Sequence, residues 1–115
     1  IRYLPGVNYA FCDITNKKSL KRKINKSFSY VVNLGGYVDH SNRGKTFKSH
    51  YVGCKNLTEI FLKNPPITFV QMGSSGEYGR LKSPQSENSI CKPLSIYGHA
   101  KLLASKYLIN LLYSI

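Results

Sequence analysis

Three short apolar runs alternate with three stretches of helical periodicity, and this alternation limits the fold more than any other feature of the chain. The runs are Tyr9 to Ile14, Phe28 to Leu34 and Ile67 to Met72. They are rich in β-branched and aromatic residues and bounded by turn residues, so each reads as a strand. The first helix is expected over Lys17 to Lys26, capped by Thr15 or Asn16, with Leu20 and Ile24 turned inward. The second is expected over Lys45 to Lys63, with Phe47, Tyr51, Cys54, Leu57 and Phe61 on one stripe. Asn64-Pro65-Pro66 stops it. In the third, Ile96, Ala100, Leu103 and Tyr107, and then Ala104, Leu108, Leu111 and Ile115, fall in steps of three and four. Pro93 and Ser95 stand just ahead, in the right order for a helix start. Strand, helix, strand, helix, strand, helix implies an α/β fold: a doubly wound parallel sheet with helices on both faces. Ligands of such sheets bind beyond the carboxyl ends of the strands. Those ends here are Asp13, Gly35-Gly36 and Ser74, and all three should open on one edge.

The third strand and the third helix carry the chemistry. Tyr97 and Lys101 lie one turn apart on one helix face. A free phenol, with a pKa near 10, is a poor base at neutral pH. A fixed ammonium one turn away favours its phenolate. A serine hydroxyl from the strand end, at Ser74, can hold a substrate hydroxyl beside the phenol while a proton is passed. The spacing alone is weak, because Tyr51/Lys55 and Tyr78/Lys82 repeat it. Only Tyr97/Lys101 follows a serine-ended strand and opens a helix. The connection before it is about twenty irregular residues, a length that usually marks function.

Composition narrows the classes. A chain of 115 residues with 42% apolar content suits one small globular domain. No run approaches a membrane span. The first residue, Ile1, stands inside a continuing pattern, so the N-terminus reads as a cut. Cys12, Cys54 and Cys91 are odd in number and show no metal-ligand spacing, which fits reduced thiols in a cytoplasmic protein and no metal site. The net charge of +12 is high, and Lys17, Lys18, Lys21, Arg22, Lys23 and Lys26 cluster. No aromatics interleave them as a stacking platform needs, so they read as a solvated helix face without a nucleic-acid or membrane partner.

Four signatures in order carry a family resemblance. They are Asp13-Ile14, Asn33-Leu34-Gly35-Gly36, the segment Ser74 to Gly79 ending in Tyr-Gly, and Tyr97 to Lys101; Pro84, Glu87 and Pro93 fit the loop between the last two. Together they resemble an extended short-chain dehydrogenase/reductase of the NAD-dependent epimerase/dehydratase family, which acts on nucleotide sugars. The resemblance implies a partial NAD-binding Rossmann-like domain over residues 1–115. It implies NAD as cofactor, with NADP as the alternative, a nucleotide-diphosphate sugar as substrate, and a homodimer of the complete protein through helices 45–63 and 95–115. Asp13 and Ile14 would meet the adenine, and Leu34, Gly35 and Gly36 would pass under the cofactor. Lys101 would hold the nicotinamide ribose. Ser74, Tyr97 and Lys101 would be catalytic, with Ser74 and Ser75 facing substrate.

The departures set further expectations. Dehydratases of the family place Asp-Glu after the catalytic hydroxyl residue, where Ser75-Gly76 stand here. This favours a UDP-glucose 4-epimerase-like reaction over a nucleotide-sugar 4,6-dehydratase, with a reductase or a noncatalytic basic binding module as alternatives. The family's first strand and its Gly-x-x-Gly-x-x-Gly turn are not among these residues, nor is its C-terminal substrate region. The family often has asparagine early in the second long helix. His50 stands there and reads as helix surface, while Asp39 and His40 read as a solvated loop, with an approach to substrate as the alternative.

Overall fold

The computed structural model describes residues 2–114; Ile1 and Ile115, with the readings placed on them, lie outside the described residues. Helix α1 spans Lys17–Lys23. It starts where the Asn16 side chain accepts a hydrogen bond from the Ser19 N–H at 3.0 Å. It ends three residues earlier than its periodicity suggests, with Lys21, Arg22 and Lys23 in the last turn, where the helix dipole favours cations.

Strands β1, Tyr30–Asn33, and β2, Thr68–Gln71, pair in parallel, with Tyr30 beside Thr68 and Asn33 beside Gln71. Alternation sends Val31 and Phe69 to the covered face. There they pack with Ile14, Ile24 and Ile60 around Leu20, Leu57 and Phe61. Each of those three central side chains contributes about 1.5–3 kcal/mol by leaving water. The opposite face is bare: Tyr30, Val32 and Val70 are exposed. Among the described residues the helices cover one face of this pair, as an incomplete doubly wound sheet would leave it.

Tyr9 to Ile14 is not a strand. Its backbone has no neighbouring strand to bond with among the described residues, and an apolar run without a ladder partner stays irregular. Its end is nevertheless ordered. The Asn56 amide donates to the carbonyls of Ile14 at 3.1 Å and Thr15 at 3.2 Å.

The second long helix runs unbroken through 43–61 but changes its winding. Helix α2, Arg43–Phe47, is capped by Asn42. A π-helical turn follows over Lys48–Val52, and α3 continues over Gly53–Phe61. The stripe from Phe47 to Phe61 faces inward as expected, with Cys54, Leu57 and Phe61 buried. Helix α4, Ile96–Leu112, begins at the Ser95 cap, whose hydroxyl oxygen accepts from the Gly98 N–H at 3.0 Å. It lies against α2, the π turn and α3. No helix among the described residues is long and apolar enough to cross a membrane.

Candidate active site

After β2 the chain enters a serine turn whose parts hold each other. Ser74 caps a single 3-10 turn, Ser75–Glu77. Its hydroxyl oxygen accepts from the Gly76 N–H at 3.1 Å, and its own N–H donates to Glu77 Oε1 at 2.9 Å. Glu77 is buried and accepts a second bond, from the Ser105 hydroxyl of α4, at 3.2 Å. The Ser74 hydroxyl proton remains free to donate.

Two glycines let this turn reach α4. A Cβ on Gly98 would lie 2.3 Å from the Gly76 carbonyl oxygen, so only glycine permits this backbone approach. Gly76 in turn sits against the Tyr97 ring, and a Cβ there would be 3.8 Å from Tyr97 Cδ1. The expected partners are thus brought together. Lys101 is buried, donates to the Met72 carbonyl at 2.8 Å, and places Nζ 5.9 Å from the Tyr97 ring centroid. Met72 is two residues before Ser74, so Lys101 ties the strand end to the helix. Ser75 is exposed beside this point, and its carbonyl accepts from the Tyr78 N–H.

The two other Tyr-x-x-x-Lys pairs do not form such a site. Tyr51 packs on Phe47, and the partly exposed Lys55 reaches over the Tyr107 ring and pairs with Glu59. Tyr78 closes the 3-10 turn and shares no helix with Lys82.

The other strand ends form a ledge and a cleft. Leu34, Gly35 and Gly36 are exposed beyond β1. Beneath them a polar ladder closes the sheet: the Asn33 amide donates to Gln71 at 2.7 Å, and the Cys54 thiol donates to the same oxygen. Burial pushes the Cys54 thiol pKa up, so it stays protonated. Ile14 reaches Gly35 and packs tightly on Gly53, where a Cβ would meet its Cγ2 at 2.7 Å. Asp13 lines a cleft of about 340 Å3 together with Thr15, Tyr37, Lys45, Lys48 and Ser49. Hydrogen bonds from the Thr15 hydroxyl and N–H hold its carboxyl below the ordinary carboxylate range.

Two residues read as surface touch the Tyr97 ring: His50 is turned inward, while His40 stays exposed. His50 is buried in the π turn, and its Nε2 donates to the Tyr37 carbonyl at 3.2 Å. Burial lowers its pKa, so the ring is neutral. His40 stacks on Tyr97, with ring centroids 4.2 Å apart. Neither contact has a local sequence signal, because both join residues more than forty positions from Tyr97. Glu77 did have one: Ser74-x-x-Glu77 is the capping-box spacing.

A glycine ledge at the end of one parallel strand, a polar cleft lined by Asp13, Lys45 and Lys48, and a Tyr/Lys/Ser cluster at the end of the other strand are the features that this α/β protein sets beyond its sheet. The sequence profile of the NAD dependent epimerase/dehydratase family matches residues 2–112. The chain belongs to that family, among the extended short-chain dehydrogenases/reductases. Its fold is Rossmann-like, and incomplete beside solved relatives. It is similar to the Bordetella bronchiseptica enzyme WbmG in complex with NAD and UDP, at TM-score 0.84 and 19% identity, over 92% of this chain and 35% of that one. It is similar to the UDP-Glc/GlcNAc 4-epimerase of Campylobacter jejuni, at TM-score 0.81 and 22% identity, over 90% and 33%. It is also similar to the ADP-L-glycero-D-manno-heptose-6-epimerase of Helicobacter pylori, at TM-score 0.78 and 25% identity, over 87% and 32%. The chain spans about a third of the length of these structures. No curated protein matches it significantly.

Proposed function

We propose that these residues belong to an NAD-dependent nucleotide-sugar epimerase. The supporting observation is the convergence of Ser74, Tyr97 and Lys101 at one strand end through the Gly76–Gly98 approach. The residues present fit the cofactor. Leu34, Gly35 and Gly36 offer an exposed backbone ledge, and Asp13 and Ile14 border a cleft of adenine scale. NAD, when bound, supplies the hydride acceptor, and NADP is the alternative. Tyr97 takes the proton of the substrate hydroxyl as general base. Ser74 holds that hydroxyl with the donor it has free, and Ser75 lines the substrate side. Lys101 keeps donors beyond the one on Met72 for the ribose of the cofactor. Its ammonium stands one turn from Tyr97 on the same helix, 5.9 Å from the ring centroid.

The epimerase reading is favoured over the family's 4,6-dehydratases by the carboxylates. Ser75 and Gly76 carry none beside Tyr97, and both oxygens of Glu77 are engaged by Ser74 and Ser105. A reductase on the same residues is the second reading. The substrate is a nucleotide-diphosphate sugar, such as those of the relatives' UDP and UDP-Glc/GlcNAc. The complete protein is a homodimer through its two long helices and works in the cytoplasm.

Tyr97→Phe keeps the ring and removes the transferable proton. In the full-length protein it should lower turnover by about a hundredfold or more. Tyr51→Phe and Tyr78→Phe, which break the two other spacings, should leave turnover near normal. Normal turnover by Tyr97→Phe would remove Tyr97 from the mechanism.

A further inference from the structure

Three rings from three separate segments meet at the candidate acid/base. His40, from the loop after the glycine ledge, lies flat on Tyr97 at 4.2 Å between centroids, with the ring planes 16° apart. His50, from the π turn, meets Tyr97 edge-on at 4.9 Å and 82°. The two imidazoles contact each other at 5.7 Å and 73°. Stacked and edge-on pairs at these distances attract, because ring edges are positive and faces negative.

The position of His50 is set by more than this contact. Its Nε2–H donates to the Tyr37 carbonyl, which leaves a lone pair on Nδ1. That Nδ1 is buried without a hydrogen-bond partner. A buried acceptor without a partner destabilises a fold, so some other need holds the ring there. The ring also fills the space over Gly36. A Cβ at Gly36 would lie 1.9 Å from Cε1 and 2.4 Å from Nδ1 of His50. The family resemblance expects asparagine where His50 stands, and the larger ring needs glycine as its neighbour at position 36. Widening of the helix into a π turn at Lys48–Val52 accompanies the change, and such turns gather at functional sites. His50 also orders His40, because it grips Tyr37 three residues earlier. The Tyr37 N–H donates to Ser49 Oγ of the same turn at 2.9 Å, and Ser41 bonds the Asp39 carboxylate on the far side of His40.

We propose that His40 and His50 form a two-sided clamp that fixes the Tyr97 ring for proton transfer, and that glycine at position 36 makes the clamp possible. Both histidines are positioning residues, acting through Tyr97. The proposal rests on the reading of Tyr97 as acid/base given above. Misplacing a reacting group by about 1 Å costs up to a hundredfold in rate, so a ring held on two sides is a direct route to turnover.

The test uses the full-length protein. Its first arm needs no activity. Ring-labelled histidine NMR reads it, with the His40 signal assigned by its loss in His40→Ala. The His40 ring proton should lie upfield under the Tyr97 ring and move downfield in Tyr97→Leu. Signals that do not move overturn the stack, whatever the reaction proves to be. The second arm reads turnover with UDP-glucose and NAD. His40→Ala should lower kcat about tenfold or more with KM for NAD unchanged, and His40→Phe, which keeps a flat ring, should restore it. Failure of phenylalanine to rescue means that the ring nitrogens matter and the clamp is wrong. The third arm couples Gly36 to His50. Gly36→Ala should lower the melting temperature, and Gly36→Ala with His50→Asn should regain it while turnover stays low. Equal melting of Gly36→Ala and the parent protein overturns the packing argument. Absence of turnover by the parent protein would fail the epimerase reading and leave the first and third arms to judge the clamp.

Discussion

Glu77 and Ser74 cap each other. The Ser74 N–H donates to Glu77 Oε1 at 2.9 Å, while the Ser74 oxygen closes the same turn by accepting from Gly76. Through its second oxygen Glu77 also holds Ser105, two turns along α4 from Tyr97. One buried carboxylate therefore joins the serine of the candidate site to the helix that carries the tyrosine.

Glu77→Ala should strand the Ser74 N–H and loosen the turn. The expected cost is about 1–3 kcal/mol of stability with a fall in turnover. Glu77→Gln keeps an acceptor for Ser74 and should lose much less. Thermal melting and turnover of the two variants check this, and equal behaviour of both would contradict it.

Gly98→Ala and Gly44→Ala form a matched pair, since both glycines lie in helices. At Gly98 a Cβ would be 2.3 Å from the Gly76 carbonyl oxygen, so the serine turn must move away from Tyr97. Turnover and stability should both fall. At Gly44 the nearest atom is 3.8 Å away. That variant should be neutral or more stable by about 0.5–1 kcal/mol, because alanine restricts the unfolded chain.

Acid should loosen the fold through His50. Its ordinary value is 6.5, and burial holds it lower in the folded protein. As pH falls below that value the unfolded chain takes up the proton first, so stability is full above it and declines on acidification. Asp13 and Asp39, held low by Thr15 and Ser41, lose their contributions only as pH falls through and below 3.8. The windows are separate. Melting temperatures at about pH 7.5 and about pH 5.5 should differ less in His50→Asn than in the parent protein. An unchanged difference would remove His50 as the cause.

The full-length protein should dimerise through its two long helices. Ile109 and Leu112 of α4 are exposed, and Leu108 and Leu111 line an apolar cleft of about 210 Å3 with Phe61, Leu62, Pro65, Pro66 and Ile67. Apolar surface on this scale beside a polar fold marks an association face. Light scattering should give a dimer at micromolar concentration, and a monodisperse monomer would refute it.

The sequence by itself determined the alternation of helices and strands from Lys17 onward, the start of α4 at Ser95 and the inward stripe of α3. These are local. A cap needs only its own turn, and a stripe needs only the helical period. The sequence also singled out Tyr97/Lys101 from its two copies, because a strand and a serine loop precede it. It misjudged Tyr9 to Ile14, since a strand forms only against a neighbour and no periodicity supplies one. It also placed His50 at the surface, and it gave no sign that the exposed His40 stacks on Tyr97, because both contacts reach Tyr97 from other segments. The tertiary structure alone decided that Gly36 gives His50 its room, that Gly98 admits the Gly76 carbonyl, and that Glu77 bridges the serine turn to α4. Each of these depends on close packing between elements far apart in sequence, where a single methyl group is enough to exclude the arrangement.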